Sequence, residues 1–453
     1  MVTPAVVIAA PSSGSGKTTV ATGLIGALRR AGHVVAPFKV GPDFIDPGYH
    51  GLAAGRPGRN LDPVLVPESL IGPLYRHGCA GADVAVVEGV MGLFDGRIDA
   101  GHGLAAGSTA HVAALLGAPV ILVVDATGQG HSVAALLHGF STFAPVRVAG
   151  VVLNRVGSPR HEQVLRQACG QVGTPVLGVI PRAREVTVPS RHLGLVTAVE
   201  HGRLARDAVE AMTELIFSHV DLAAVVATAA TGVTDLPWQP PVAEPPRRPV
   251  MVAMATGPAF TFCYPEHTEM LSAAGADVVA FDPLTEKLPA GTDAVVLPGG
   301  FPEQFTAELS GNDALRQQIR ALAGAGGAVQ AECGGLTYLV SELDGYPMCG
   351  VLAGSARFTE RLTLRYHDAA AVADSSMYRV GDQVVGHEFH HTAVKFAEAY
   401  PPAWRYAGRD VAALRDGAVH RGVHASYLHV HPAAVPDAVA RFIAHAAAEG
   451  PSR

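Results

Sequence analysis

A buried apolar run, a glycine-rich loop closed by Lys-Thr, and a helix follow one another at the start of this chain. No other segment restricts its fold as much. Ala5-Val6-Val7-Ile8-Ala9-Ala10 reads as a strand, Pro11-Ser12-Ser13-Gly14-Ser15-Gly16-Lys17-Thr18-Thr19 as the loop, and Lys17 to about Arg30 as the helix. Glycines let the backbone wrap an anion with its N–H groups, and the helix N-terminus adds partial positive charge. In that frame Gly14, Ser15, Gly16 and Thr19 line a phosphate cradle. Lys17 reaches the terminal phosphates, and the Thr18 hydroxyl can ligate Mg²⁺. Pro11 stands where the usual pattern has its first glycine, so the match is to a variant of the phosphate loop.

Short apolar runs then alternate with helix-length segments. His33 to Phe38, Asp83 to Glu88, Pro119 to Asp125, Val148 to Leu153 and Val176 to Ile180 continue the series begun at Ala5. Strands apolar on both faces belong to a parallel sheet covered on both sides, and helical segments between them make βαβ units. The texture changes between Ala229 and Pro249, where Leu236-Pro237-Trp238-Gln239-Pro240-Pro241 and Glu244-Pro245-Pro246-Arg247-Arg248-Pro249 are dense in proline and lack periodicity. This reads as a linker. A second α/β pattern opens at Val250, with strands at 250–253, 294–297 and 328–331. At roughly 100–200 residues per domain, the 453 residues divide into a first domain (1–228), the linker (229–249) and a second domain (250–453).

Composition excludes several classes. Hydrophobic residues are 49% and charged residues 16%, which is not the balance of a disordered chain. The net charge of −7 and the lack of a long basic run argue against a nucleic-acid partner. An acidic substrate has to be met by local clusters of positive charge. Cys79, Cys169, Cys263, Cys333 and Cys349 are odd in number and form no CxxC pair, which speaks against a disulfide scaffold and a cysteine zinc site. The longest apolar stretch, Val112 to Val124, is broken by Gly117-Ala118-Pro119 and is too short to span a bilayer. No basic region precedes the first apolar run, as a secretory signal requires. The expectation is a soluble cytoplasmic protein without a membrane partner.

A phosphate loop that uses Mg²⁺ needs carboxylates at neighbouring strand ends, and those ends share one edge of a parallel sheet. Glu88 closes the strand Val84-Ala85-Val86-Val87 and is the best placed of them. Lys39, Asp43 and Asp46 follow the second strand, and Asp95 lies in the turn Leu93-Phe94-Asp95-Gly96. Any of these acids also fits an ordinary solvated strand end or turn. Asn154 follows a late strand, where its amide can read a purine edge. Arg155, Arg160, Arg182, Arg184 and Arg191 follow the late strands and can meet substrate carboxylates. Solvated surface arginines explain them equally well.

The second half carries a different chemistry. Ala328-Val329-Gln330-Ala331-Glu332-Cys333-Gly334-Gly335-Leu336 reads as strand, tight turn and helix with the thiol at the turn. This is a nucleophile elbow, in which the helix N-terminus lowers the thiol pKa. A thiolate needs an oxyanion hole and a base. Gly299 and Gly300, after the strand ending at Leu297, offer backbone N–H groups, and His429 is the better base among the histidines near the C-terminus. A third, orienting group is not evident, because His431 stands where related triads carry a carboxylate. His387-Glu388-Phe389-His390-His391 matches the zinc-protease pattern HExxH, but that pattern works on a helix. The surrounding residues read as strand, on which His387 and His391 lie about 13 Å apart.

A phosphate-loop ATPase joined to a Cys-His amide hydrolase implies amidation by glutamine nitrogen. The thiol releases ammonia from glutamine, ATP activates a carboxylate as an acyl phosphate, and ammonia displaces phosphate. The carrying segments are Pro11 to Thr19, Lys39 to Pro47, Glu88 to Gly96, Glu332 to Gly335, Gly386 to His390 and Ser426 to His429. Over nearly the whole chain they resemble the cobyrinic acid a,c-diamide synthase family, also called hydrogenobyrinic acid a,c-diamide synthase. The resemblance implies a dethiobiotin-synthetase-like parallel-sheet domain binding MgATP, followed by a class I-type glutamine amidotransferase α/β domain. It implies that Lys17 serves the phosphates, that Thr18, Asp43 and Glu88 hold Mg²⁺, and that Lys39, Asp46 and Asp95 face substrate or acyl phosphate. It also implies that Cys333 is the nucleophile and His429 its base, and that the missing carboxylate at 431 is a family feature. ATP, glutamine and a corrinoid polycarboxylate, with or without cobalt, are the implied small-molecule partners, and a homodimer is left open. Sister amidotransferases, such as cobyric acid synthase or the synthase acting on nickel sirohydrochlorin, share both sites. A regulatory switch with a degenerate second domain is the reading from another class, and intact Cys333 and His429 argue against it.

Overall fold

Runs of Val, Ile, Leu and Ala without a polar member are stable only between two covering layers, and the first half of the chain is built on that rule. The computed structural model describes residues 2–97, 104–182, 190–191, 194–195, 197–242, 246–407 and 414–449. It forms two compact units, Met1–Gln239 and Pro240–Arg453.

In the first unit β1 (Ala5–Ala9), β2 (Val35–Val40), β3 (Arg59–Leu61), β4 (Val84–Glu88), β5 (Val120–Asp125), β6 (Val148–Val156) and β7 (Val176–Pro181) form one sheet in the order β3-β2-β4-β1-β5-β6-β7. All neighbours pair parallel. Two short strands, β8 (Ser190–Arg191) and β9 (Gly194–Leu195), pair with each other apart from it. The helix Lys17–Arg30 starts directly from the phosphate loop and lies against the helix Arg203–His219. The two backbones approach closely because Gly23 and Gly26 carry no side chain. A Cβ on Gly23 would lie 2.4 Å from the Met212 carbonyl oxygen, and one on Gly26 would lie 2.0 Å from Thr213 Oγ1.

Residues 229–239, read above as the first part of a linker, are folded onto the first unit. Ala230 bridges Ala5, the Gly232 N–H donates to the Leu116 carbonyl at 2.8 Å, and the Trp238 N–H donates to that of Pro73 at 2.9 Å. Trp238 is buried, edge-on to the His77 ring. Proline blocks regular secondary structure but not packing, and Trp238 supplies the apolar area.

In the second unit the strands are β10 (Val250–Ala255), β11 (Ala276–Phe281), β12 (Ala294–Leu297), β13 (Ala328–Glu332), β14 (Val340–Leu343), β15 (Tyr346–Pro347), β16 (Leu352–Ala371), β17 (Gln383–Phe396), β18 (Trp404–Tyr406), β19 (Arg415–Asp416), β20 (Ala418–His420), β21 (Val423–Ser426) and β22 (His429–Val430). One sheet runs β11-β10-β12-β13-β21-β20 and is parallel except at β20. The other runs β15-β14-β16-β17-β22, with β18 on β16 and β19 on β18. Its long ribbon of β16 and β17 is antiparallel, with an irregularity between Phe358 and Thr363. The core of this unit lies around Val295, Leu297, Val329, Ala331, Leu336 and Tyr338, all buried. The five cysteines are free. Among the described residues no helix is long and apolar enough to cross a membrane.

The glycine contact between the two helices gives a direct test. Gly23→Ala puts a methyl into the Met212 backbone, so it is expected to destabilise the chain by about 1–3 kcal/mol through overpacking. Gly139→Ala, in the helix Ser132–Thr142 with nothing within 4 Å of the new methyl, is expected to be neutral or stabilising by up to about 1 kcal/mol. Denaturant titration of both variants checks the contrast, and equal effects would refute the packing argument.

Candidate functional site

The carboxyl ends of β1, β2 and β4 bring the phosphate loop, Lys39 and Glu88 to one edge. Ile8 and Lys39 both stand in register with Glu88. Gly14 (φ 81°) and Gly16 (φ 93°) take left-handed conformations that glycine adopts freely, so the loop curls over the helix start. Ser15 Oγ donates to the Ser12 carbonyl at 2.9 Å. Lys17 Nζ donates to the Met91 carbonyl. Thr18 Oγ1 donates to Glu88 Oε1 at 2.6 Å and lies 3.4 Å from Asp46 Oδ2. Lys39 Nζ donates to the Gly89 carbonyl at 2.9 Å and sits 3.4 Å from Asp46 Oδ2 and 3.9 Å from Glu88 Oε1. Behind Glu88, fully buried His50 places Nε2 2.7 Å from Oε2.

The electrostatics of this cluster follow from burial and neighbours. Burial works to raise the Glu88 pKa, but Lys39, His50 and the Thr18 hydroxyl outweigh it and bring it down to about 2. Asp46 is pushed well above the usual carboxylate range, by burial first and then by the negative charges of Asp43 and Glu88. Burial opposes the charge on Lys39, yet Glu88, Asp46 and Asp43 hold its pKa above the ordinary lysine value. Lys17 is lowered by burial and by Lys39. The set fits a hard divalent cation. Thr18 and Glu88 offer adjacent oxygens, and crowding by Asp43 and Glu88 raises Asp46 in a way that positive charge relieves. Among the described residues no three His, Cys, Asp or Glu side chains are arranged to hold a metal unaided. Phosphate and water oxygens therefore have to complete any shell.

The remaining residues of this edge are placed as follows. Asp43 Oδ1 accepts from the N–H groups of Ile45 at 2.7 Å and Asp46 at 3.1 Å, bracing the turn into the helix Asp46–Ala54. Asp95 is exposed, and its Oδ2 accepts from the Gly92 N–H at 3.0 Å. Asn154 Nδ2 donates to the Ser15 carbonyl at 3.0 Å, and a Cβ on Gly16 would lie 2.4 Å from it. The amide expected to read a purine thus braces the phosphate loop. Arg155, at φ 58°, pairs with Asp125 and donates to the Gly14 carbonyl at 3.2 Å. Arg160 and Arg182 are exposed. Arg184 and the Arg191 side chain lie outside the described residues.

In the second unit the parallel neighbours β12, β13 and β21 end together, bringing Gly299 and Gly300, Cys333 and His429 to one place. Cys333 sits at φ 49°, ψ −104° between β13 and the helix Gly334–Leu339. A non-glycine residue held there costs roughly 1–3 kcal/mol, and its surroundings fix it. The Cys333 N–H donates to the Ser426 carbonyl at 2.8 Å, and Sγ lies 3.6 Å from the Phe389 carbonyl oxygen. The elbow needs its glycines. A Cβ on Gly335 would lie 2.1 Å from the Leu297 carbonyl oxygen, and one on Gly334 would lie 3.1 Å from the Gly300 nitrogen. A Cβ on Gly299 would lie 2.4 Å from His429 Cε1 and 3.1 Å from Nε2, so the imidazole covers the glycine loop.

The expected lowering of the thiol pKa is not what the structure supports. Burial comes first and the charge of Glu303 second in raising the Cys333 pKa, and the Gly334 N–H only partly opposes them. The helix that follows is six residues long. The resting group is a neutral thiol that needs a base. His429, fully buried on β22, stands in register with His387, and their rings meet edge to face at 4.9 Å. Burial and His429 push His387 far below the usual histidine pKa, so it is neutral.

The HExxH segment is strand, as its sequence suggested. His387 meets His429, whereas Glu388 belongs to a separate buried network. His367 Nε2 lies 2.7 Å from Glu388 Oε2, and the Tyr406 hydroxyl lies 3.1 Å from Glu388 Oε1 and 3.0 Å from Asp416 Oδ2. A hydroxyl has one proton, so it can donate to only one of the two carboxyls. Protonation of Asp416 would resolve the conflict. Burial first and Glu388 second raise its pKa to about 7. Asp416 Oδ2 also accepts from the Tyr427 N–H at 2.9 Å, two residues before His429.

Sequence reasoning missed His50 and Asp416, the contact of His387 with His429 and the place of Glu332. For His50 a signal existed, because it lies four residues after Asp46 on a helix that starts at the site. No local signal marked Asp416, whose partners come from distant strands.

Two family models match the chain. Residues 6–196 match the family described as CobQ/CobB/MinD/ParA nucleotide binding domain. Residues 251–435 match the family described as CobB/CobQ-like glutamine amidotransferase domain. A protein of Mycobacterium tuberculosis (strain H37Rv) named hydrogenobyrinate a,c-diamide synthase is 72% identical over 99% of both chains. One of the same name from Streptomyces coelicolor is 54% identical over 97% of both. A cobyrinate a,c-diamide synthase of Gloeobacter violaceus is 40% identical over 97% of this chain and 96% of its own.

The Asp416 carboxyl yields a pH test. Its folded pKa of about 7 lies above the ordinary 3.8, so the stability it contributes is full below the ordinary value and lost as pH rises through about 7. Asp416→Asn stays neutral at every pH. The melting temperature of the wild type, taken relative to that of the variant, is expected to fall between pH 5 and 8. A constant difference across that range would show that Asp416 does not titrate there.

Proposed function

This chain belongs to the hydrogenobyrinate and cobyrinate a,c-diamide synthase family, and from that premise we propose that it is a glutamine-hydrolysing, ATP-dependent amidoligase. Its substrate in this reading is the cobalt-free corrin hydrogenobyrinate, whose a and c acetates it converts to amides in cobalamin synthesis. The observation that carries the proposal is the strained Cys333 elbow beside Gly299, Gly300 and His429, on the same chain as a Lys-Thr phosphate loop. Relatives at 72% and 54% identity carry the hydrogenobyrinate name and one at 40% the cobyrinate name, which favours the cobalt-free substrate.

In the amidotransferase unit, His429 takes the Cys333 proton as Sγ attacks the carboxamide carbon of glutamine. The N–H groups of Gly299 and Gly300 meet the oxyanion. His429 returns the proton to the departing nitrogen, ammonia leaves, and water hydrolyses the thioester to glutamate. A neutral resting thiol fits this order of events, because deprotonation is coupled to attack. It also limits adventitious oxidation of Cys333.

In the nucleotide unit, the backbone of Gly14, Ser15, Gly16 and Thr19 and the Lys17 ammonium bind the ATP phosphates. Lys17 now donates to the Met91 carbonyl and turns to the terminal phosphate on binding. Thr18 and Glu88, with Asp43 at the entrance, are the residues that would hold Mg²⁺, which when bound neutralises charge on the phosphate oxygens. Glu88 is ready for that role because Lys39 and His50 keep it ionised. The Lys39–Asp46 pair and Asp95 are assigned to the corrin carboxylate and its acyl phosphate. Ammonia displaces phosphate from that acyl phosphate to give the amide.

Incubation with MgATP, glutamine and hydrogenobyrinate or cobyrinate, followed by mass analysis, tests the proposal. Two amides are expected on hydrogenobyrinate. Cys333→Ser is expected to lower glutamate release at least about a thousandfold while synthesis from added ammonia continues. A wild-type protein that releases no glutamate with MgATP and either corrin overturns the reading.

A further inference from the structure

We infer that Glu332 is the orienting carboxylate of the Cys333–His429 pair, a positioning residue placed directly before the nucleophile. The inference rests on the amidotransferase reading above and deepens it. Glu332 Oε2 lies 3.6 Å from His429 Nδ1. The other side of the ring, Cε1 and Nε2, covers Gly299. The imidazole therefore presents Nε2 to the glycine loop and turns Nδ1 to a carboxylate. A base of a Cys-His pair needs this orientation, because a proton held on Nδ1 leaves Nε2 free to accept one from sulfur.

The backbone explains how one segment supplies both groups. Glu332 is the last residue of β13 and pairs with Ser426 of β21. On a regular strand the next side chain would point to the opposite face. The left-handed turn at Cys333, tied down by the Ser426 carbonyl, breaks that alternation. Adjacent side chains can then serve one imidazole. Glu332 is itself held in place. Gln330, two residues back on the same face and 5% exposed, donates from Nε2 to Glu332 Oε1 at 3.0 Å, which leaves Oε2 for His429.

The residue in the usual position for this role is otherwise engaged. His431 Nε2 lies 4.0 Å from Glu266 Oε2, and its ring centre lies 4.4 Å from that of Tyr264, tilted by 41°. At 3.6 Å the two groups form an ion-pair contact and not a hydrogen bond. A positive imidazolium draws the carboxylate closer as the proton arrives.

The test uses the full chain and compares glutamine-driven with ammonia-driven synthesis, together with steady-state glutaminase kinetics. Glu332→Gln removes the charge and offers an amide N–H to Nδ1, which favours the wrong tautomer. Its glutaminase kcat is expected to fall about 10- to 100-fold with the glutamine KM within about twofold, while ammonia-driven synthesis is retained. Glu332→Asp is expected to recover part of the loss. Gln330→Ala, which frees the carboxylate without deleting it, is expected to lie between the wild type and Glu332→Gln. The inference is overturned if Glu332→Gln matches the wild type in kcat, or if KM rises with kcat unchanged. If Glu332→Gln impairs ammonia-driven synthesis as well, Gln330→Ala decides the matter, and wild-type kcat in that variant overturns the inference. Wild-type protein without glutaminase activity overturns the amidotransferase reading itself, an outcome separable from each of these.

Discussion

Parallel pairing is the constraint on which both units depend. When neighbouring strands run the same way, their carboxyl ends and the loops that follow them open on the same edge of the sheet. In the first unit this brings the phosphate loop, Lys39 and Glu88 together, although they lie up to some seventy residues apart in sequence. In the second it gathers Gly299, Cys333 and His429 from β12, β13 and the segment after β21. Neither arrangement requires a long loop to hold a reactive group in place. The strands are rigid because their side chains are mostly apolar and buried on both faces, and the reactive residues inherit that rigidity.

The two edges treat buried charge in opposite ways. At the phosphate loop, Glu88 is kept ionised at a position almost closed to water, and it takes Lys39, His50 and Thr18 together to overcome the cost of burial. At the thiol edge no comparable set of cations surrounds Cys333 among the described residues. Burial and the nearby acids Glu303, Glu388 and Glu332 raise its pKa. The difference matches the chemistry proposed for each. A divalent ion needs permanent negative charge nearby, whereas a thiol that attacks an amide needs its charge only at the moment of attack. Asp416 is a third case, in which burial and a neighbouring carboxylate raise an acid that shares a tyrosine hydroxyl, so that it takes up a proton below about pH 7.

Much of this was legible in the sequence because it was local. The strands at 5–9, 250–255 and 294–297 are unbroken apolar runs, those at 84–88 and 120–125 are apolar runs closed by an acid, and the phosphate loop and the cysteine turn are contiguous motifs. The antiparallel ribbon of β16 and β17 was legible only at its HExxH segment, which reads as strand. Arg357, Glu360, Arg361 and Arg365 interrupt any apolar alternation, and much of β16 is exposed. Its stability comes from pairing with β17 over most of its length, which is a tertiary fact. His50 and Asp416 were hidden for the same reason, since each is defined by partners from other elements. The thiol pKa was misjudged because a local rule about helix N-termini was applied without knowledge of the depth of burial.

The elbow shows why a motif can be found while its geometry stays hidden. The run Glu-Cys-Gly-Gly marks a tight turn, and on a strand-like reading its first two side chains face opposite ways. A single residue at φ 49° removes that opposition. The two glycines that follow make the turn possible, since a methyl on either would strike the backbone or side chains of the Leu297–Pro302 loop. A search for the third member of the site by spacing from His429 leads to His431, which is occupied with Glu266 and Tyr264. The carboxylate that faces the base is found by following the strand instead. Where a strained residue ends a strand, the residue before it becomes a candidate for the same site as the residue itself.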